Sequence, residues 1–185
     1  MISKVNRLSS SQDDLFIVEY SGSELFFSGD IDFHSAHEFN KLIKQIEREK
    51  EDLADKSLLI YLTSTGGEVG EGLKMHDALM RSQLETTVIA EGLVASAATL
   101  LLCGAKSARI TPNSFLLLHE FTSYFGNTYS NNKRFMVYVD QLMDLVVGIY
   151  NKKLKEPIGK ADLDKDWFIN ATEALALGLV DEIIE

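Results

Sequence analysis

Apolar and polar positions along this chain change period several times, and each change marks an element. Residues 15–20 (LFIVEY) and 24–28 (ELFFS) read as two short strands about Ser21-Gly22-Ser23, a hairpin signal, and Gly29-Asp30 ends the second. From Asp32 the spacing turns helical, with Ala36, Phe39, Ile43 and Ile46 along one face. Ser35 and Glu38 have capping-box spacing there, and Asp32 could cap equally well. The charged run 44–56 (KQIEREKEDLADK) reads as the solvated end of that helix and its loop. Residues 57–63 (SLLIYLT) are a nearly continuous apolar strand, the kind buried on both faces of a parallel sheet. Past the turn Ser64-Thr65-Gly66-Gly67, a helix is predicted over about 68–82, with Val69, Leu73, His76 and Met80 inward.

Residues 86–90 (TTVIA) form the next strand, which turns at Gly92 and leads through Ala95-Ser96-Ala97-Ala98 into an apolar helix over 99–103. Two short strands, 108–111 and 115–118, flank Pro112-Asn113, and the second ends at His119. Strands and helices in alternation argue an α/β fold with a mostly parallel sheet. A long helix over 133–153 carries more apolar surface than one side of contact requires, so it reads as an arm packed against another subunit. A short helix over 172–177 closes at Gly178, and 179–184 return as a final strand. No internal repeat or linker divides the chain, so 1–185 read as a single domain with a polar, flexible start over 1–13.

Composition narrows the class. The formal net charge of −10 argues against nucleic acid and anionic membranes as partners. Cys103 is the sole cysteine, so there is no disulfide framework. The apolar run 97–103 is too short to cross a bilayer, and the start lacks a signal-peptide core, so a cytoplasmic location is expected.

Parallel sheets bind ligands at the carboxyl ends of their strands. Three consecutive carboxyl ends here offer the Gly66-Gly67 turn, Ser96 and His119. Those are the minimum parts for acyl transfer: backbone donors for an oxyanion, a nucleophile and a base. Ser96 taken alone reads first as a helix cap. The base needs an acceptor to fix its tautomer, and Asp162, Asp164 and Asp166 are candidates. Asp166 adjoins Trp167 and Phe168, which could give it apolar cover. Other features read blandly. His34, His37 and Glu38 are surface residues at a helix start rather than a metal site, and His76 is a structural residue. The glycines at 66, 67, 70 and 72 lack the GK[ST] ending of a phosphate loop, and Cys103 is packing. No metal or cofactor is expected.

Several separate stretches, in order, resemble the proteolytic subunit of the Clp protease family: FFSGDID, LLIYLTSTGGEV, VASAATLLLCGAKSARITPNSFLLLHE and DKDWFINATEALALGLVDEII. The resemblance implies a crotonase-like fold of repeated β-β-α units with a protruding handle helix, the handle region falling at 122–153. It implies a serine endopeptidase acting on unfolded polypeptides or peptides through an acyl-enzyme. Carried over, it makes Ser96 the nucleophile, His119 the general base and Asp166 the orienting acid, with the amides of Gly67 and Ala97 as oxyanion hole. A side chain at Gly67 should then harm rate more than stability. It also implies assembly into heptameric rings, stacked in pairs, and a partner ATPase unfoldase. The chain departs from the family's usual pattern in having Thr65 before the paired glycines, Glu120-Phe121 after the histidine and Lys165 before the aspartate. Two other readings stand beside the peptidase: a ring subunit with a structural role and little activity, and an acyl-CoA enzyme of the crotonase fold.

Overall fold

The computed structural model describes residues 6–8, 16–122, 126 and 128–184. Residues 1–5 and 9–13 of the polar start and part of the polar stretch before the long helix therefore lie outside the described residues, while 6–8, expected to be flexible, form a strand paired with 18–20.

The chain runs β1 (Asn6–Leu8), β2 (Phe16–Ser21), β3 (Glu24–Gly29), α1 (Phe33–Glu49), β4 (Ser57–Ser64), α2 (Val69–Arg81) and β5 (Glu85–Ala95). A 3₁₀ turn, Ser96–Ala98, leads into α3 (Thr99–Gly104), β6 (Ser107–Ile110), β7 (Phe115–Leu118) and α4 (Tyr129–Tyr150). After a second 3₁₀ turn, Lys160–Leu163, come β8 (Trp167–Asn170), α5 (Ala171–Leu177) and β9 (Glu182–Ile183). Among the described residues the sheet order is β1-β2-β3-β4-β5-β6-β9. β1, β2 and β3 pair antiparallel, while the β3–β4, β4–β5, β5–β6 and β6–β9 ladders are parallel; off this path β7 pairs parallel with β5 and antiparallel with β8. The α/β class and the mostly parallel sheet expected from the sequence are thus observed.

One face of this sheet carries the core. Leu25 and Phe27 of β3, Leu58, Ile60 and Leu62 of β4, and Val88 of β5 are fully buried, as are Phe39, Ile43 and Ile46 of α1. Phe27 meets Phe39 edge to face with ring centroids 6.0 Å apart, an arrangement that suits the ring quadrupoles. Among the described residues the other face is largely uncovered along β4. β4 alternates buried and half-exposed positions, so the expectation that it is covered on both sides is corrected: only its even-numbered residues pack on helices.

Two further expectations change. Met80, expected inward, is 57% exposed; His76 is buried as expected, and α2 also buries Gly72, Met75 and Leu79. Lys50, in the run read as solvated, is buried, with its Nζ donating to Ser23 Oγ (2.7 Å) and to the Ser57 carbonyl (2.8 Å). At the start of α1 the capping box is Asp32 with Ser35: the Asp32 carboxylate accepts from Ser35 N–H while Ser35 Oγ accepts from Asp32 N–H.

The largest difference concerns Gly92. The strand does not turn there into a helix; it continues to Ala95 with Gly92 at φ +62°, open to Gly at little steric cost. Before this point Thr87–Ala90 pairs with Ser107–Ile110 of β6, and after it Leu93–Ala95 pairs with Phe115–Leu117 of β7. Against β4 the register jumps over the same residues, from Leu62↔Ala90 to Ser64↔Val94. Gly92 is therefore a bulge that hands one strand from one neighbour to another.

Candidate active site

The handover at Gly92 sets the positions of the candidate residues. β5 and β7 run parallel with Ala95 opposite Leu117, and β7 and β8 run antiparallel with Leu118 opposite Trp167. Ser96 follows the last residue of β5, His119 follows the last residue of β7, and Asp166 precedes the first residue of β8. Extending the ladders by one step sets His119 across from Asp166, with Ser96 on the adjoining strand end. Residues 23 and 47 positions apart in sequence thus share one edge. A backbone bond reinforces this, since Glu120 N–H donates to the carbonyl of buried Leu163 at 2.8 Å.

Ser96 stands at φ +54°, in the left-handed region, where a non-glycine residue is uncommon and strained. It opens the 3₁₀ turn that precedes α3, half-buried. Small neighbours allow the tight bend. Ala95, Ala97 and Ala98 are buried, and a methyl group added to Gly72 of α2 would come within 3.0 Å of Ala97 Cβ. The glycine pair packs directly on this corner. A methyl on Gly66 would sit 2.7 Å from both Ser96 Cβ and the Ala95 carbonyl, so only glycine fits.

The Gly66-Gly67 turn is held by Ile31, which donates to the Gly66 carbonyl (2.7 Å) and accepts from Glu68 N–H (2.8 Å). That pattern leaves the intervening Gly67 amide pointing away from Ile31. Neither it nor the Ala97 amide, which lies in the first turn of its helix, has an acceptor among the described residues. The Ala97 amide follows Ser96 directly in the chain, and the Gly67 amide adjoins Gly66, which packs on Ser96 and Ala97, so both are candidate donors for a developing negative charge at this corner.

The relay from base to acid is open. His119 Nδ1 lies 2.5 Å from the Glu120 carbonyl oxygen. A carbonyl only accepts, so Nδ1 carries the proton and Nε2 is left as the basic nitrogen, the tautomer a serine-activating base requires. Among the described residues no hydrogen bond links Ser96 Oγ to His119, and neither a hydrogen bond nor an ion pair links His119 to Asp166. Asp166 is exposed, against the expectation of apolar cover from Trp167 and Phe168. It borders a cleft of about 490 Å³ lined also by Pro157, Ile158, Asp164 and Trp167.

Sequence reasoning missed two residues behind Ser96. Thr99 Oγ1 lies 2.6 Å from the Ser96 carbonyl and 2.7 Å from the hydroxyl of Tyr150, at the end of α4. The three-residue spacing of Ser96 and Thr99 is a readable signal; nothing in the pattern points to Tyr150. Cys103 lies on α3 beyond them, and burial pushes its thiol up to about 12, which keeps it inert as the sequence suggested.

Residues 9–185 match the family model described as Clp protease. The chain is 32% identical over 135 residues to the ATP-dependent Clp protease proteolytic subunit of Dehalococcoides mccartyi, covering 71% of this chain and 68% of that protein.

Proposed function

The chain belongs to the Clp protease family, and from that premise we propose that it is a serine endopeptidase subunit cutting unfolded polypeptides through an acyl-enzyme on Ser96. The observation that carries the reading is the run of ladders that sets Ser96, His119 and Asp166 at adjoining strand ends, beside two unpaired amides.

In the proposed cycle, Ser96 Oγ attacks the scissile carbonyl and its proton passes to His119 Nε2. The tetrahedral oxyanion accepts from the Gly67 and Ala97 amides; losing one such donor typically costs about 2.7–4 kcal/mol of transition-state stabilisation. Collapse of the intermediate breaks the C–N bond, and the imidazolium gives its proton to the leaving amine. Water, deprotonated by the same imidazole, then cleaves the ester and restores Ser96. A neutral carbonyl on Nδ1 stabilises imidazolium less than a carboxylate does. The proposed active form therefore exchanges the Glu120 carbonyl for the Asp166 carboxylate by a turn of the His119 side chain.

The family self-assembles and works with ATPases. For this chain we place the chemistry in the cytoplasm, inside heptameric rings stacked in pairs. Small peptides would enter unaided and folded substrates would need an unfoldase. A second reading, a ring subunit with a structural role and little activity, is favoured by the open relay.

One experiment separates the two. The protein is incubated with a fluorophosphonate and weighed intact. A single adduct in the wild type, absent in Ser96→Ala, is the outcome expected of the peptidase. No adduct on assembled particles would establish the structural subunit and overturn the peptidase.

A further inference from the structure

We propose that Thr99 and Tyr150 are positioning residues for this reaction: a buried hydroxyl chain from α4 fixes the Ser96–Ala97 peptide, and with it the direction of the Ala97 amide. The proposal rests on the serine peptidase reading and names residues that the reading itself does not require.

The argument starts from donors and acceptors. A threonine hydroxyl has one proton, and the Ser96 carbonyl can only accept, so the 2.6 Å contact commits that proton to Ser96 O. Thr99 Oγ1 then has only lone pairs for its other neighbour, and the Tyr150 hydroxyl, 2.7 Å away, must be the donor. The order is Tyr150 O–H to Thr99 Oγ1, then Thr99 O–H to Ser96 O. Burial pushes the Tyr150 phenol far above its usual range, with the Thr99 hydrogen bond a smaller opposing influence, so the donor proton stays in place at any working pH. Thr99 is 1% exposed and Tyr150 4%, so water does not compete for either bond.

Peptide planarity carries the effect onward. The carbonyl of Ser96 and the amide of Ala97 belong to one rigid plane and point in opposite directions. Fixing Ser96 O therefore fixes Ala97 N–H. The plane needs fixing, because Ser96 sits at φ +54°, a conformation that relaxes unless its surroundings hold it. A threonine bonding back to the carbonyl three residues earlier is common in a helix's first turn and alone would mean little. Here its oxygen is gripped in turn by a fully buried hydroxyl from a helix 51 residues further along the chain. That second grip selects the rotamer in which the threonine proton faces Ser96 O.

The test uses the full chain and four proteins: wild type, Thr99→Val, Thr99→Ser and Tyr150→Phe. Each is assayed for acylation by a fluorophosphonate and for kcat and KM on a p-nitrophenyl ester, with thermal unfolding to establish that it is folded. Removing an oxyanion donor outright typically lowers rates about 10²–10³-fold, so misdirecting one is expected to lower kcat about tenfold in Thr99→Val, with KM within about twofold. Thr99→Ser, which keeps the hydroxyl, should return to within about twofold of wild type, whereas a packing role would leave it impaired. Tyr150→Phe, which removes one oxygen from an otherwise intact ring, should lower kcat about threefold at unchanged KM. A folded Thr99→Val with wild-type kcat overturns the proposal, as does a loss that Thr99→Ser fails to restore. Should Thr99→Val not fold, Tyr150→Phe decides: a wild-type kcat there overturns it. If the wild type itself takes up no fluorophosphonate, the peptidase reading falls and the positioning role with it. That result is distinct from variants equal to an active wild type.

Discussion

At Gly67 two demands fall on one residue. Its amide is a proposed oxyanion donor, and its φ of +142° is one that side-chain-bearing residues rarely adopt. The sequence suggested that substitution here would harm rate more than stability. The structure ties the two together, because an added Cβ would stand 2.1 Å from the Ile31 carbonyl, which is backbone and cannot swing aside. The Ile31 and Glu68 hydrogen bonds would have to shift with it. Gly67→Ala should therefore lose about 1–3 kcal/mol of stability in urea unfolding and most fluorophosphonate uptake. Gly70 is the matched control on α2. Nothing lies within 4 Å of a methyl there, so Gly70→Ala should leave labelling unchanged and add up to about 1 kcal/mol, the helical advantage of Ala over Gly. Cys103 belongs to this scale too. With its thiol near 12, it should resist iodoacetamide at neutral pH while the chain is folded and react readily once it is unfolded.

At the scale of elements, the seam between β6 and the last strand has a titratable clasp. Asp181 accepts from Ala108 N–H at 2.7 Å and Ser107 Oγ at 3.2 Å, and pairs with Lys153 at 3.6 Å. Burial alone would raise its pKa, but the Ala108 amide, the Lys153 charge and the Ser107 hydroxyl together hold it below 3.8. A depressed carboxylate contributes stability that is complete above the unfolded pKa and fades as pH falls through the folded one. The stability gap between wild type and Asp181→Asn should thus be constant from neutrality down to about pH 5 and close below about pH 4. Acid titration followed by circular dichroism checks this; a gap unchanged down to pH 2 would contradict it.

Elements of this kind were legible where a local rule sufficed: the hairpin about Gly22, the Asp32 cap and the Gly178 stop are each fixed by residues within a few positions. What was not legible depended on partners distant in sequence. Gly92 reads as a turn because glycine permits one, yet β7 captures the next three residues and keeps the strand going. The apolar run in β4 reads as buried on both faces because periodicity cannot show that its outer face is uncovered among the described residues. The site residues were legible as parts at strand ends. Their closeness depends on the β5–β7–β8 ladders, and the His119 contact with Glu120 depends on side-chain geometry that no spacing encodes.

At the scale of the molecule, α4 poses the remaining physical problem. Its 22 residues span about 33 Å, yet no residue before Met143 is buried. Met136, Val137, Tyr138 and Leu145 are all more than half exposed, so apolar side chains face outward on several sides of the arm. A free helical segment of that length is marginal in water, and most helix stability in proteins comes from packing. The surplus was visible in sequence, where it reads as an arm packed against another subunit; the number of copies was not visible, since it depends on angles between surfaces. If association covers this arm, stability must depend on concentration, because mass action favours the packed form. The unfolding midpoint of the wild type should rise with protein concentration, and light scattering should give a mass of several chains. Val137→Asp places a charge on a side chain that is 59% exposed in the single chain, so it should leave the core of the domain folded. It should nevertheless lower the scattering mass, remove the concentration dependence and reduce helical circular dichroism as the arm frays. A variant that keeps the wild-type mass would show that the interface lies elsewhere.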